Sequence, residues 1–202
     1  MLDPDQLTLH TLTLRQLATA AQISEINGQA EDAVAPALDQ AVTDGLVLSA
    51  RGAYMITPAG RARLDEVYPA AFAEIRASSD VAAAMDSFES GVNRQVLELT
   101  TEWQTVQVDG TPTPNDHGDP EYDARVLDRL GRVLEKTRKV LGPLAAADPL
   151  VERFTDRLDA ALTRAEGGET DYVSGVRVDS VHTVWFQMHE HVLRLTGRER
   201  PE

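Results

Sequence analysis

Ala37–Tyr68, ALDQAVTDGLVLSARGAYMITPAGRARLDEVY, is the stretch whose reading decides the fold. It opens inside an amphipathic helix, where Val34, Leu38, Ala41 and Val42 recur at three- and four-residue steps and Gly45 ends the pattern. Leu46 and Leu48, then Tyr54 and Ile56, flank Arg51-Gly52 as two short strands around a turn. Thr57-Pro58 starts another helix, with threonine as N-cap and proline in the first turn. Upstream, Asp3-Pro4 is a further helix start, and the leucines at 7, 9 and 12 carry that helix to about Leu12. ATAAQISEINGQ makes a short helix that ends at Asn27-Gly28, a pair suited to a left-handed C-terminus. Pro36 lies inside the third helix and predicts a kink or a delayed start there.

Helix, helix, helix, hairpin, helix is the order of a winged helix-turn-helix, expected over residues 1–70. The leucine before the DGLV turn, the wing and TPAGRARL resemble the MarR-type winged-helix regulators over roughly residues 7–68. The resemblance implies a cytoplasmic transcription regulator, working as a homodimer, with Arg51 at the wing tip where such proteins often place a minor-groove arginine.

From residue 71 to 202 the pattern changes to long amphipathic helices, and this part is expected to be a second domain. One helix starts near Ser79-Asp80 and carries Phe88, Val92, Val96, Leu99 and Trp103 on one stripe to about Gln107. VDGTPTPNDHGDP, with its glycines and prolines, reads as an irregular loop. Asp119-Pro120 and Asp148-Pro149 start two more helices, and a last one spans roughly 179–196. The predicted fold is mostly α: three helices and a β-hairpin wing, then an antiparallel four-helix bundle. TEWQ, NDHGDPEYDARVL and SVHTVWFQMHEHVLRLTGRER are also similar to a helical segment that follows the winged helix in MarR-annotated proteins of high-GC bacteria. A similar segment occurs at the C-terminal end of some pyruvate-phosphate-dikinase-like enzymes.

Composition narrows the function. The chain has 33 acids against 19 bases, a formal charge of −14, so at long range it repels nucleic acid and anionic lipid. It has no cysteine, which removes disulfides, thiolate metal sites and cysteine nucleophiles and fits a reducing cytoplasm. Neither an export signal nor a membrane-spanning apolar run is legible. Nucleophile elbows, phosphate loops and metal-spaced histidines are absent, so the chain is not expected to be an enzyme or to need a cofactor or metal.

The helix that should read DNA holds Glu31, Asp32, Asp39 and Asp44 and no base. Residues 1–70 contain nine acids and four bases, a net −5. DNA contact is therefore expected from Arg51, Arg61, Arg63 and Arg15, with Gln29 and Gln40 as the helix donors. Alternatively, this acidic face makes the winged helix a protein-interaction module, conceivably beside a phosphoenolpyruvate-utilising enzyme. A second candidate site gathers Trp103, Asn115, Asp116, His117, His182 and His189 as a pocket for a small effector. The alternative is a plain turn, with Asn115 or Asp116 making an Asx-turn, Gly118 at positive φ and Asp119 as N-cap. His182 and His189 share a helix face but stand about 10.5 Å apart along the axis, too far to ligate one metal through that face alone.

Overall fold

The computed structural model describes residues 1–200 and is mostly helical, with two small antiparallel sheets. Its residues form two compact units: Met1–Ser78 with the residues from His189 onward, and Ser79–Met188. The sequence reading places one division near residue 70; here the last helix contributes residues to both units.

In the first unit, α1 (Pro4–Arg15) is capped by Asp3 and Gln6 in a reciprocal box. Every residue from Thr8 to Leu14 is buried, so α1 is the central helix of this unit. Three threonines are tolerated there because each hydroxyl donates to a carbonyl four residues back: Thr8 to Pro4, Thr11 to Leu7, Thr13 to Leu9. After β1 (Leu17–Ala18) come α2 (Ala20–Asn27) and α3 (Glu31–Thr43), which place Ile23, Ile26, Val34 and Leu38 in the core. α3 begins at Glu31 and accommodates Pro36 on its exposed side.

β2 (Val47–Ala50) and β3 (Ala53–Ile56) pair around Arg51-Gly52, and β1 adds to the far side of β3, giving the order β1-β3-β2. Thr57 then caps α4 (Pro58–Ala71), which is followed by α5 (Ala73–Ala77). No helix of the described residues is long and apolar enough to cross a membrane.

The second unit starts with α6 (Ser79–Ser87), a π-helical turn (Phe88–Asn93) and α7 (Arg94–Gln104), where the sequence pattern reads as one continuous helix. The widened turn is held by Trp185, which stacks on Phe88 at 5.4 Å between ring centres and donates its Nε1–H to Asn93. VDGTPTPNDHGDP is not wholly irregular: β4 (Thr105–Val108) and β5 (Thr111–Pro114) form a hairpin across Asp109-Gly110. Next come α8 (Pro120–Val140), α9 (Gly142–Ala147), α10 (Pro149–Glu166) and α11 (Asp171–Ser174). α12 (Val181–Thr196) gives its first half to this unit. α8 packs against α7 and α10, burying Val126, Leu130, Leu134, Phe154 and Leu158.

Candidate functional site

The first candidate surface lies on unit one. Arg51 and Gly52 have φ of 53° and 79°, so the two-residue turn has the left-handed backbone that matches strand twist. Asn or Gly is the usual occupant of such a position; an arginine there keeps an exposed cation at the hairpin tip against the local preference. Arg61 and Arg63 are exposed on α4, and Arg63 makes a 3.4 Å pair with Glu66 that is too exposed to fix it. Arg15 is half-buried in the last turn of α1.

α3 presents a different chemistry. Its exposed positions include Glu31, Asp32, Asp39 and Gln40, followed by Asp44 at the C-cap, with no cation among them. Glu31 and Asp32 sit in the first turn of a helix whose N-cap, Ala30, offers no side-chain bond, and there they complement the helix dipole. Asp39 accepts a 3.1 Å hydrogen bond from the Tyr54 hydroxyl, tying α3 to β3; desolvation, then this bond and the carboxylate charge, raise the Tyr54 pKa.

The two glutamines differ from free donors. Gln29 donates its amide to the Pro4 carbonyl at 3.0 Å, while its Oε1 accepts from Thr8 at 3.0 Å and Asn27 at 2.6 Å. Its side chain is thus committed to buckling α1 onto the α2–α3 turn. Gln40 donates to Asp44 at 3.0 Å but remains exposed.

The second candidate lies in unit two. His117 adopts φ 59°, and its Nδ1 stands 2.9 Å from Asp123 Oδ2. The ring tilts against Trp103 with 4.5 Å between centres. Asn115 organises the loop: its amide donates to the Trp103 carbonyl at 3.0 Å and to Asp123 Oδ1 at 3.1 Å, and its Oδ1 accepts the His117 N–H at 3.0 Å. In a hydrogen bond between the two, the imidazole donates from Nδ1 and the Asp123 carboxylate accepts.

Trp103, Asn115 and His117 therefore come together. Asp116 and Asp119 do the turn work, accepting from Gly118 and from the Glu121 and Tyr122 amides. His182 is half-buried on the first half of α12, whereas buried His189 belongs to the first unit, with Nδ1 3.5 Å from Arg200.

Beside this loop is a cleft of about 620 Å³, walled by Thr101, Glu102, Thr105, Asn115, Asp116 and Tyr122. Burial, together with the Glu102 and Asp123 charges, raises the Tyr122 pKa; its hydroxyl donates to the Glu102 carbonyl at 2.8 Å. The His117 imidazole is oriented by Asp123 and lies against Asn115 and Trp103. No group of three or more metal-ligating side chains occurs among the described residues. Asn115→Ala is expected to destabilise the second unit by about 2 kcal/mol, since it strips partners from a half-buried carboxylate and a backbone carbonyl; urea unfolding with and without the substitution measures it.

Sequence reasoning passed over His10, Tyr68 and His191, which meet in the core of unit one. Only His10 carried a local signal, a lone imidazole amid leucines and threonines. Compared with protein-family models, curated proteins and solved structures, the chain matches none.

Proposed function

We propose that the first unit is a winged helix-turn-helix and that the chain is a MarR-like cytoplasmic transcription regulator. In this reading it touches DNA mainly through the wing. The second unit is a helical bundle that pairs two copies or receives an effector in the cleft beside His117, and no catalytic role is assigned. The observation that carries the reading is Arg51: an exposed cation at the tip of the β2–β3 hairpin, in a backbone conformation that asparagine or glycine would occupy at lower cost. Binding of effector would act by shifting the population of wing spacings that fit a duplex.

The physics sets a weak, salt-sensitive interaction. Two wings neutralising about four phosphates would give a slope of about −3.6 in log affinity against log salt. Fluorescence anisotropy against the upstream region of the gene, compared with mixed genomic DNA from about 20 to 200 mM salt, tests this. Arg51→Asn keeps the turn, so stability should change by no more than about 0.5 kcal/mol while affinity at low salt falls at least about tenfold. Unchanged binding by this variant would remove the wing from the interface.

A second reading is favoured by α3. Its exposed carboxylates and the internal commitment of Gln29 suit a basic protein partner better than a phosphate backbone. Absence of DNA binding at the lowest salt would select it.

A further inference from the structure

Two imidazoles and a phenol form a buried chain inside the first unit. His10 Nδ1 lies 2.8 Å from the Tyr68 hydroxyl, and His10 Nε2 lies 2.8 Å from His191 Nδ1. All three side chains are less than 5% exposed. The chain joins α1, α4 and the C-terminal half of α12 across 181 residues of sequence. Only one proton fits between two nitrogens at this distance, so one imidazole donates and the other accepts. When His10 donates from Nε2, its Nδ1 accepts from Tyr68, and all three groups are neutral. A further proton makes the pair a cation in a buried site, and on the nitrogen that accepts between the two rings it also sets two N–H groups against each other.

The surroundings add to that penalty. Arg194, from α12, sits 5.8 Å from the Tyr68 ring centre and pairs with Glu190 at 2.8 Å and with Asp65 of α4 at 3.8 Å. On the elements packed against α1, the acids Glu25 of α2 and Glu31, Asp32 and Asp39 of α3 are exposed, and Tyr54 of β3 bonds Asp39. On the C-terminal segment itself, His189 lies 3.5 Å from Arg200.

We propose that Tyr68–His10–His191 is a proton-operated latch: with both imidazoles neutral it clasps residues 189–200 to α1 and α4, and uptake of one proton releases that segment. Burial first, then the fields of His191 and Arg194, hold the His10 pKa well below 6.5. Below pH 6.5 the free imidazole takes up a proton that the closed form refuses. The contribution of neutral His10 is thus complete above that pH, and through this one group the closed-to-open ratio falls about tenfold for each pH unit below it until the folded value is reached. Arg76 also holds this segment, donating to the Arg194 and Leu195 carbonyls at 3.0 and 3.2 Å.

Hydrogen–deuterium exchange of the full chain from about pH 8 to pH 5, corrected for intrinsic exchange, tests the latch. Amides of residues 189–196 should lose about tenfold in protection per pH unit below 6.5, while α8 and α10 hold theirs. His10→Gln and His191→Gln should abolish the pH step. A step that persists in both variants, or a uniform loss across the chain, overturns the proposal. Should neither variant fold, imidazole ¹⁵N shifts of the unsubstituted protein decide: protonation coincident with release is expected, and charged imidazoles under intact protection refute it.

Discussion

Gly60→Ala is expected to destabilise the first unit by about 3 kcal/mol, at the upper end of overpacking costs. A Cβ at this position would stand 2.3 Å from the Leu46 carbonyl oxygen and 2.7 Å from Ile56 Cγ1. The carbonyl has no room to yield, because it already accepts from the Thr57 amide at 2.9 Å and the Thr57 hydroxyl at 3.0 Å. That hydroxyl also caps the Gly60 amide, so the clash and the helix start share the same atoms. Gly45 and Gly52 differ: each has positive φ with open space around it, and alanine there should cost about 1 kcal/mol from conformation alone. Urea midpoints of the three variants measure the contrast. A Gly60→Ala protein within about 1 kcal/mol of the unsubstituted chain would contradict the close approach of α4 to the start of β2.

Trp103→Ala should cost the second unit about 4 kcal/mol, the usual range for emptying a buried tryptophan site. The residue is 2% exposed and supports two layers at once: its ring backs His117, and its carbonyl receives Asn115. The chain has two tryptophans, so in this variant all tryptophan emission comes from Trp185, stacked on Phe88 within the same unit. The expected result is an earlier denaturant midpoint read by Trp185, with faster amide exchange through residues 105–118. A midpoint shift under about 1 kcal/mol would mean that the His117 loop is held without its aromatic floor.

Local chemistry made the element boundaries legible. Asp3, Thr57, Asp119 and Asp148 each cap a helix with proline in its first turn, and each acts on amides within three residues. The first hairpin was equally readable from Arg51-Gly52. The second was hidden by Pro112 and Pro114, which weaken any strand reading, although Asp109-Gly110, with φ of 51° and 78°, carried the turn signal. The His117 loop was half visible: the turn roles of Asp116 and Asp119 follow from residue type, but the 2.9 Å contact to Asp123 depends on where α8 lies.

What the sequence by itself determined is the series of helices and wing-like strands, the acidic face of α3 and the exposed cation at Arg51, because these depend on interactions a few residues long. Tertiary structure alone decided that the Gln29 side chain bonds Pro4, Thr8 and Asn27, that residues 189–200 belong with residues 1–78, and that His10 meets His191. These are contacts between segments distant in the chain, which periodicity and capping preferences do not encode. Burial then fixes their chemistry: the His10 imidazole, unremarkable in water, has its pKa held well below 6.5 in a core, where an added proton has no solvent to receive its charge.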